Sequence, residues 1–311
     1  MNENSLKEIV RKCYLKYLNR EPDSAGLEHY VYLMKTKQID EKILQNMFVN
    51  SPEYKINQLT FSYKQIPKIK IEKNGKTFFV NSSNNASFWA SMQVGVWEPE
   101  TFKIFDIFLD KNHSYIDLGA WIGPTVLYGC QTAKFCYAIE PDPVAFEYLK
   151  NNINLNDHLR SCIKLSDECI TDFSGTTFLT PVSKEGGDSL SSIVFKKSPT
   201  SWKVKGITFH QFILDNSVRD CNFIKIDIEG GEFTVLPTMQ EFLEKEKPTI
   251  HLSLHPPLIK NSYDSLKKIY KIISKYNFVY DNKLKALEKE FILRADNNDK
   301  FFDVIVTDEI I

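Results

Sequence analysis

The sequence of 311 residues lacks long apolar runs, an excess of one charge and regularly spaced cysteines. No run reaches the roughly 18 apolar residues that a membrane-spanning helix needs, and the polar start has no signal-peptide core. We therefore expect a cytoplasmic protein without a membrane span. Lysine and arginine (39) balance aspartate and glutamate (40), and the formal net charge is −1. This balance argues against a nucleic-acid backbone as the partner.

The six cysteines include no C-x-x-C pair and follow no regular spacing. A disulfide framework or a zinc site would need such spacing, so the thiols are predicted to be reduced and mostly buried. With 42% apolar and 25% charged residues, the chain is long enough to bury a full-sized core and to carry a second small domain.

Residues 1–62 have the apolar spacing of helices and are predicted to form a small all-α domain. The turn N-R-E-P-D ends the first helix, and Arg20 and Asp23 are interpreted as local turn and capping residues. The pattern from Tyr14 to Tyr30, followed by S-P-E-Y at residues 51–54, resembles a bacterial helical domain related to phycobilisome linkers. Such domains are often fused to envelope and glycan proteins, so the resemblance implies that this domain docks a partner.

The pattern changes after residue 62. Residues 63–110 are predicted to contain a β-hairpin around Asn74-Gly75 and a helical lead-in. From residue 111 strands and helices alternate, which predicts a doubly wound, mostly parallel α/β sheet, with Phe291–Leu293 and Phe302–Thr307 as a terminal hairpin. An insert at residues 173–205 is rich in serine, glycine and threonine. It is either an irregular segment over the carboxyl ends of the strands or a surface hairpin.

A strand, a glycine turn and a helix start are indicated between Tyr115 and Pro124, which read Y-I-D-L-G-A-W-I-G-P. Open α/β sheets bind adenosine-containing ligands at such a unit. A dinucleotide site needs G-x-G-x-x-G so that a pyrophosphate can approach the second glycine, but Trp121 stands at that position. NAD and FAD are therefore disfavoured, and S-adenosylmethionine, which has no phosphates, fits better. Glu140, at the end of the next strand, would accept hydrogen bonds from the ribose hydroxyls of S-adenosylmethionine or of NAD, so it does not distinguish the two ligands.

Two further motifs contain polar residues in strand-like runs. In I-K-I-D-I-E-G-G-E, residues 224–232, the side chains of Lys225, Asp227 and Glu229 would share one face of a strand. Unpaired buried charges cost several kcal/mol, so these groups are predicted to pair with one another or to face a ligand. In H-L-S-L-H-P-P the prolines exclude a helical metal-binding pair. His255 is predicted at the strand end, and His251 deeper in the core.

Four motifs together resemble the FkbM family of S-adenosylmethionine-dependent methyltransferases: D-L-G-A-W-I-G, I-E-P-D-P, T-D-F-S-G and I-K-I-D-I-E-G-G-E. The resemblance runs from about Trp97 to the C-terminus. It implies a class I methyltransferase fold over residues 111–311, with a seven-stranded, mostly parallel Rossmann-like sheet and a C-terminal antiparallel hairpin. It also implies methylation of hydroxyl groups on sugars or secondary metabolites.

The resemblance places residues around the cofactor in three groups. The Asp117 turn lies at the methionine end, Glu140 lies at the ribose, and Asp142 lies near the adenine. Many members have Asn where this chain has Trp121, and Asn can hydrogen-bond the cofactor carboxylate. In this chain the contact is expected to come from another residue, or the indole packs on the ligand. The implied cofactor-binding residues are Asp117, Gly119, Ala120, Trp121, Gly123, Glu140, Pro141, Asp142, Cys169, Ile170, Asp227 and, closing over the ligand, Glu98.

Three residues are predicted to carry the chemistry. Glu229 is the first candidate for the base that removes the hydroxyl proton, His255 is the second, and Asp227 orients the acceptor or offsets the sulfonium charge. In a variant of this mechanism, Asp227 and Glu229 hold Mg²⁺, which binds the acceptor oxygen and lowers its pKa. Outside this variant, no metal site is predicted.

The acceptor is expected to be a sugar hydroxyl of a bacterial surface polysaccharide or its precursor, by association with the helical domain. Two other functions stay open. One is a nicotinamide-dependent sugar oxidoreductase, which Trp121 opposes. The other is a non-catalytic scaffold in a glycan-assembly complex, which the intact acidic residues Asp117, Glu140, Asp227 and Glu229 oppose.

Overall fold

The computed structural model describes residues 2–310, which divide into two compact units. The first unit comprises the chain up to Lys73 together with Asn81–Pro99, and the second comprises Asn74–Val80 and the chain from Glu100 onward. No helix within residues 2–310 has both the length and the apolar content needed to cross a membrane. All six cysteines are free thiols, as predicted.

The first unit is mainly helical, as predicted. Asp23 caps its second helix by accepting a hydrogen bond from the backbone N–H of Gly26, and Arg20 donates two hydrogen bonds to Glu53, at 2.7 and 3.0 Å. A π-helical turn, Tyr14–Leu18, follows the first helix. The elements of this unit are α1 (Glu3–Cys13), α2 (Ser24–Lys35), α3 (Glu41–Asn50), α4 (Pro52–Tyr63), β1 (Lys68–Lys73) and α5 (Ala86–Val94).

The second unit alternates strands and helices along most of its length. Its elements are β2 (Lys76–Asn81), α6 (Pro99–Phe108), β3 (Ser114–Leu118), α7 (Pro124–Gly129), β4 (Phe135–Ile139), α8 (Pro143–Asn154), α9 (Asp157–Arg160), β5 (Ile163–Ser166), β6 (Cys169–Thr171), β7 (Gly175–Leu179), β8 (Trp202–Thr208), α10 (Phe209–Asp215), β9 (Cys221–Ile226), α11 (Glu232–Val235), α12 (Gln240–Glu246), β10 (Thr249–Leu254), α13 (Ser262–Ile273), β11 (Phe278–Asp281), β12 (Ala286–Leu287) and β13 (Phe302–Thr307). Short 3₁₀ helices lie at Leu236–Met239, Pro256–Leu258, Lys289–Leu293 and Ala295–Asp299. The predicted hairpin around Asn74-Gly75 is present as the two-stranded sheet β1-β2.

The central sheet has eight strands in the order β12-β11-β13-β10-β9-β3-β4-β5. Strands β5, β4, β3, β9 and β10 are parallel, and β13 is antiparallel to both β10 and β11. The predicted Rossmann-like, mostly parallel sheet is confirmed, with the two-residue β12 added beyond seven longer strands. A separate three-stranded sheet has the order β6-β8-β7.

The terminal hairpin is built differently from the prediction. Phe291–Leu293 lies in a 3₁₀ helix, and the antiparallel partners of β13 are β10 and β11. The strand predicted at Phe291–Leu293 is therefore wrong. Ile292 is fully buried in the main core and its two neighbours pack against the same core, so the apolar run reflects burial and not a strand. A three-residue apolar run has no periodicity that separates a strand from a buried helical turn.

The two faces of the sheet differ in polarity across its centre. Ile116 of β3, Ile224 of β9 and Ile250 of β10 pair side by side and are fully buried. The next residues along the chain pair in the same way and point to the opposite face, because strand side chains alternate. This second row consists of Asp117, Lys225 and His251.

The insert combines both predicted alternatives. Strands β7 and β8 pair as an antiparallel hairpin, while residues 180–201 between them are irregular apart from a bridge between Thr180 and Ser192. The irregular part contacts the carboxyl ends of the central strands, because the hydroxyl of Ser192 donates a hydrogen bond to the backbone carbonyl of Glu229. The insert therefore covers the edge of the sheet where ligands bind in folds of this kind.

Candidate functional site

The turn after β3 brings two central strands into close contact. Gly119 has a φ of +84°, and a Cβ atom at this residue would lie 1.9 Å from the backbone oxygen of Asp227. Only glycine fits this position. The backbone N–H groups of Gly119 and Ala120 both donate to the carbonyl of Ile139, at 3.1 and 3.0 Å. The turn is thus fixed against β4 on one side and against the end of β9 on the other.

Lys225 stands between two carboxylates below this turn. Its Nζ lies 3.5 Å from Oδ1 of Asp117 and 3.4 Å from Oδ2 of Asp227, and it donates a hydrogen bond to the carbonyl of Gly119 at 3.3 Å. The predicted pairing of Lys225 with Asp227 is confirmed, and Asp117 joins the pair. Because Lys225 and Asp117 are buried, each depends on the other for charge compensation.

Asp117 has one satisfied and one unsatisfied oxygen. Oδ2 accepts a hydrogen bond from the hydroxyl of Thr125 at 2.6 Å, whereas Oδ1 has no hydrogen-bond partner among residues 2–310. Burial raises the pKa of Asp117, and the neighbouring charge of Lys225 lowers it in part. A buried acceptor without a donor costs about 1–3 kcal/mol, which a ligand that brings a donor would recover.

A second polar group, which we call the acidic–histidine cluster, consists of Asp227, Glu229, Glu232 and His255. Nε2 of His255 lies 3.7 Å from Oδ1 of Asp227 and 3.6 Å from Oε2 of Glu229. Strand β9 ends at Ile226, so the prediction that Asp227 and Glu229 lie on this strand with Lys225 is wrong. It lies instead in a turn with a φ of +50°, and this turn directs its side chain to His255.

Glu232 is the functional residue that the sequence reasoning missed. It is fully buried and accepts hydrogen bonds from the backbone N–H groups of Gly230 and His255, at 2.9 and 2.8 Å. Nδ1 of His255 lies 3.2 Å from the same carboxylate, and since a carboxylate only accepts, Nδ1 donates. Glu232 therefore directs Nε2 of His255 toward Asp227 and Glu229. The signal was present in the motif, where three charged residues and two glycines precede a final glutamate.

The cluster shifts the pKa values of its members. Burial raises the pKa of Glu229 to about 7; the neighbouring carboxylates add to the rise and His255 partly offsets it. Burial lowers the pKa of His255, but the hydrogen bond and charge of Glu232 and the charges of Asp227 and Glu229 outweigh it and raise the value to about 9. Burial also raises the pKa of Asp227, yet the attraction of Lys225 and His255 brings it below the usual value. At neutral pH, His255 is thus mainly protonated and Glu229 titrates.

Glu140 and Trp121 form the neighbouring part of the site. Glu140 accepts hydrogen bonds from the backbone N–H groups of Trp121 and Asp142, both at 2.8 Å, and one lone pair on each oxygen is left for a ligand. Burial raises its pKa to about 7, although these two hydrogen bonds lower it in part. The indole N–H of Trp121 donates to the carbonyl of Gly187 in the insert at 2.9 Å.

Asp142 anchors the insert. One oxygen accepts from the backbone N–H groups of Val144 and Ala145, at 2.8 and 3.1 Å, which caps α8. The other accepts from the backbone N–H of Gly187 and the hydroxyl of Ser191, at 3.1 and 2.7 Å. This fully buried carboxylate is therefore used by the protein, and the predicted contact of Asp142 with an adenine stays a prediction.

The other predicted residues lie around these groups, with one in the other unit. Cys169 and Ile170 are buried in β6, and the charge of Glu140 contributes to the raised pKa of Cys169. Pro141 follows Glu140 directly, and Gly123 is the residue before α7, with a φ of +91°. Glu98 belongs to the first unit, so its predicted closure over the ligand stays a prediction.

His251 is placed deep in the sheet, as predicted, but it is not a satisfied core residue. It pairs with Lys225 on β9, and neither ring nitrogen has a hydrogen-bond partner in the described part of the chain. Burial lowers its pKa to about 4, so the ring is neutral at physiological pH. His251 is therefore a second buried imidazole on the polar face of the sheet, and it interacts electrostatically with Asp227 of the acidic–histidine cluster.

Comparison with known proteins matches the part of the chain that carries these residues. A family model described as the methyltransferase FkbM domain matches residues 117–280. The tRNA (guanine(37)-N(1))-methyltransferase of Methanocaldococcus jannaschii is 25% identical over 198 residues, which covers 58% of this chain and 58% of that protein. The chain therefore spans less than two thirds of the length of this relative.

Solved structures give weaker similarities over a longer part of the chain. The methyltransferase FkbM from Methylobacillus flagellatus KT has a TM-score of 0.39 at 14% identity, over 81% of this chain and 65% of that one. The M. jannaschii protein TYW2, solved in complex with AdoMet, has a TM-score of 0.37 at 14% identity, over 77% of this chain and 84% of that one.

Proposed function

The chain belongs to the methyltransferase FkbM domain family, whose model matches residues 117–280, and we propose that it is an S-adenosylmethionine-dependent O-methyltransferase. The observation that carries this proposal is the convergence of Asp227, Glu229 and His255 at the carboxyl end of β9, next to the Gly119 turn. The site thus has acid–base groups directly beside the turn where an adenosine-containing ligand binds in this class of fold.

The residues of the turn fit S-adenosylmethionine. Oδ1 of Asp117 has an ion-pair contact with Lys225 at 3.5 Å but no hydrogen bond within the described residues, and the amino group of the methionine end would donate one. Glu140 keeps lone pairs for the ribose hydroxyls. When bound, S-adenosylmethionine supplies a methyl group on a positively charged sulfur, and Asp227 lies at the right edge of the sheet to offset that charge.

Glu229 is the proposed base. With a pKa of about 7 it is deprotonated in a large fraction of molecules at neutral pH, which suits a group that accepts the acceptor's hydroxyl proton. His255 is mainly protonated at this pH, so it is a weaker candidate and instead holds the carboxylates of Asp227 and Glu229 in position. Positioning of the hydroxyl beside the methyl donor supplies most of the acceleration.

A sugar hydroxyl of a surface polysaccharide or its nucleotide- or lipid-linked precursor is the proposed acceptor. The support comes from the N-terminal helical unit, whose motifs resemble modules fused to envelope and glycan proteins. The net charge of −1 disfavours a nucleic-acid acceptor, since such binding needs a basic surface.

The backbone N–H groups of the turn after β3 disfavour a nicotinamide-dependent oxidoreductase, because they do not offer a pyrophosphate site. A pyrophosphate would need free backbone N–H groups at the start of the following helix. Here the N–H of Trp121 donates to Glu140, and α7 begins with Pro124, which has no N–H. A non-catalytic scaffold is disfavoured because a cluster of buried carboxylates is costly to keep without a use.

The pH dependence of turnover tests the assignment of the base. Glu229 acts only when deprotonated, so kcat is expected to rise with pH through an apparent pKa of about 7 and to be lost as the pH falls below it. Single-turnover methyl transfer measured across this range gives the profile. In Glu229→Gln the step near pH 7 should disappear; a step that survives unchanged assigns it to another group.

Trp121 is expected to tune cofactor affinity without affecting the fold. Trp121→Asn places a residue that tolerates the left-handed φ of +46° and removes the indole, whereas Trp121→Phe keeps an aromatic ring and removes the indole N–H that donates to Gly187. We expect both variants to keep the thermal midpoint of the parent and to change the Kd for S-adenosylmethionine in calorimetry. Parent-like affinity in both would mean that the indole only fills space.

The assay that tests the proposed function uses S-adenosylmethionine labelled in the methyl group. The full chain is incubated with a panel of nucleotide sugars and with cell-surface glycan extracts, and label in the product is counted. Label on a sugar oxygen supports the proposal. Binding of labelled NAD with no binding of S-adenosylmethionine would overturn it in favour of the oxidoreductase.

A further inference from the structure

We propose that Asp227, Glu229 and His255 form a binding site for a first-row divalent transition-metal cation such as Mn²⁺ or Zn²⁺. One ligand atom from each residue lies within 4.8 Å of the other two. The role of the cation rests on the proposed function, because it would bind the acceptor hydroxyl; its binding to the protein does not. The site differs from the Mg²⁺ pair suggested by the sequence, since it includes an imidazole nitrogen.

The spacing of the three atoms suits a metal centre. Nε2 of His255 lies 3.7 Å from Oδ1 of Asp227 and 3.6 Å from Oε2 of Glu229. Ligands at about 2.1 Å from a tetrahedral metal stand about 3.4 Å apart, which is close to these two separations. The ligand atoms of Asp227 and Glu229 lie within 4.8 Å of each other. Three protein ligands leave a further coordination position open, as in catalytic metal sites.

His255 is already oriented as metal-bound histidines are. Its Nδ1 donates to the fully buried carboxylate of Glu232, which leaves Nε2 as the nitrogen that faces the two other ligands. Glu232 is itself fixed by the backbone N–H groups of Gly230 and His255. A carboxylate behind a histidine ligand sets the ring orientation and strengthens the ligand. Its loss typically lowers metal affinity by roughly 10- to 100-fold.

The charges around the site favour a cation. Four carboxylates, those of Asp117, Asp227, Glu229 and Glu232, are within or next to the site, and the neighbouring basic side chains are Lys225 and His255. Lys225 is shared between Asp117 and Asp227 and contacts Oδ2 of Asp227, so Oδ1 is the oxygen directed to the site. A divalent cation would offset the excess of negative charge.

The ligand chemistry selects the metal. Two carboxylates and one imidazole suit Mn²⁺, Fe²⁺ and Zn²⁺, whereas Mg²⁺ prefers oxygen ligands alone. A hydroxyl bound to such a cation in the open position has a lowered pKa, and its proton is then lost to solvent or to a nearby base. Because Nδ1 of His255 keeps its proton on Glu232, the cation would displace the proton of Nε2 to solvent, and His255 would act as a ligand and not as a base.

Metal binding is tested on the full chain without cofactor or acceptor. The protein is treated with chelator, dialysed, and titrated with Mn²⁺, Zn²⁺ and Mg²⁺ by calorimetry, with water-proton relaxation as a second readout for Mn²⁺. The variants are Asp227→Asn, Glu229→Gln, His255→Gln and Glu232→Gln. The matched control is His113→Gln, because His113 also pairs with a carboxylate, Asp110 at 2.8 Å, but on the surface and without a third ligand.

We expect one equivalent of Mn²⁺ or Zn²⁺ to bind more tightly than Mg²⁺, at least 10-fold weaker binding in each ligand variant, and no change in His113→Gln. Near-ultraviolet circular dichroism confirms folding, and Asp227→Asn, at a partly exposed position, serves if a more buried variant unfolds. Absence of saturable Mn²⁺ and Zn²⁺ binding, or binding that persists in Asp227→Asn, would falsify the inference. Metal binding without methyl transfer would instead count against the proposed function alone.

Discussion

Turnover falls by about 10²- to 10⁴-fold when Glu229 is replaced by Gln, with a far smaller change in the Kd for S-adenosylmethionine. The side chain is nearly isosteric but accepts no proton and binds no cation well, so either proposed role of Glu229 is lost. The residues of the turn that we propose to contact the cofactor, such as Asp117 and Gly119, are unaltered. Pre-steady-state methyl transfer, measured with saturating cofactor, separates this loss in kcat from a change in binding.

The matched control for this variant is Glu185→Gln. Glu185 is an exposed glutamate of the insert, so the same chemical change there should leave kcat at the parent value. If Glu229→Gln and the double variant with His255→Gln both turn over like the parent, the chemistry lies elsewhere in the site. A loss of kcat together with a collapsed thermal transition would point to a structural role.

The largest expected effect on stability comes from Lys225→Met, which should lower the free energy of unfolding by about 3–5 kcal/mol. Lys225 is buried between Asp117 and Asp227, and methionine fills a similar volume without charge. The change leaves two carboxylates in a poorly solvated site without their shared cation. Chemical denaturation at pH 7 measures the difference.

Lys134→Met is the control for this effect. Lys134 contacts Asp220 at 2.8 Å, a shorter distance than either contact of Lys225, but the two side chains are 51% and 55% exposed. Water screens such a pair, so its loss is expected to have little effect on stability. Equal destabilisation by the two substitutions would show that burial of Lys225 does not decide the strength of its ion pairs.

Much of the fold was accessible from the sequence because its signals are local. The glycine turn after β3 and the alternation in β9 and β10 predict strands, a turn and their polar faces from neighbouring residues alone. Strand β11 was not predicted, and the 3₁₀ helix at Lys289–Leu293 was predicted as a strand. Both are short apolar runs, and only their tertiary partners determine which of them pairs with β13.

The site was predicted in its residues but not in its connections. Asp227, Glu229 and His255 were identified from motifs, yet their contact depends on a left-handed turn at Glu229 that the sequence does not reveal. The role of Glu232 depends on a hydrogen bond to a residue 23 positions away. The link from Trp121 to Gly187 spans 66 positions, so no local pattern encodes it.

The burial of the Lys225–Asp117 pair has a consequence for the response to dissolved salt. These side chains are 5% and 0% exposed, whereas Arg20, in the turn before α2, and Glu53 of α4 are 42% and 41% exposed. Mobile ions screen exposed charges over a Debye length of about 10 Å at 0.1 M but reach buried pairs much less. Rising ionic strength is therefore expected to weaken the exposed ion pairs of the helical unit first, while the buried attraction between Lys225 and Asp117 is nearly unchanged.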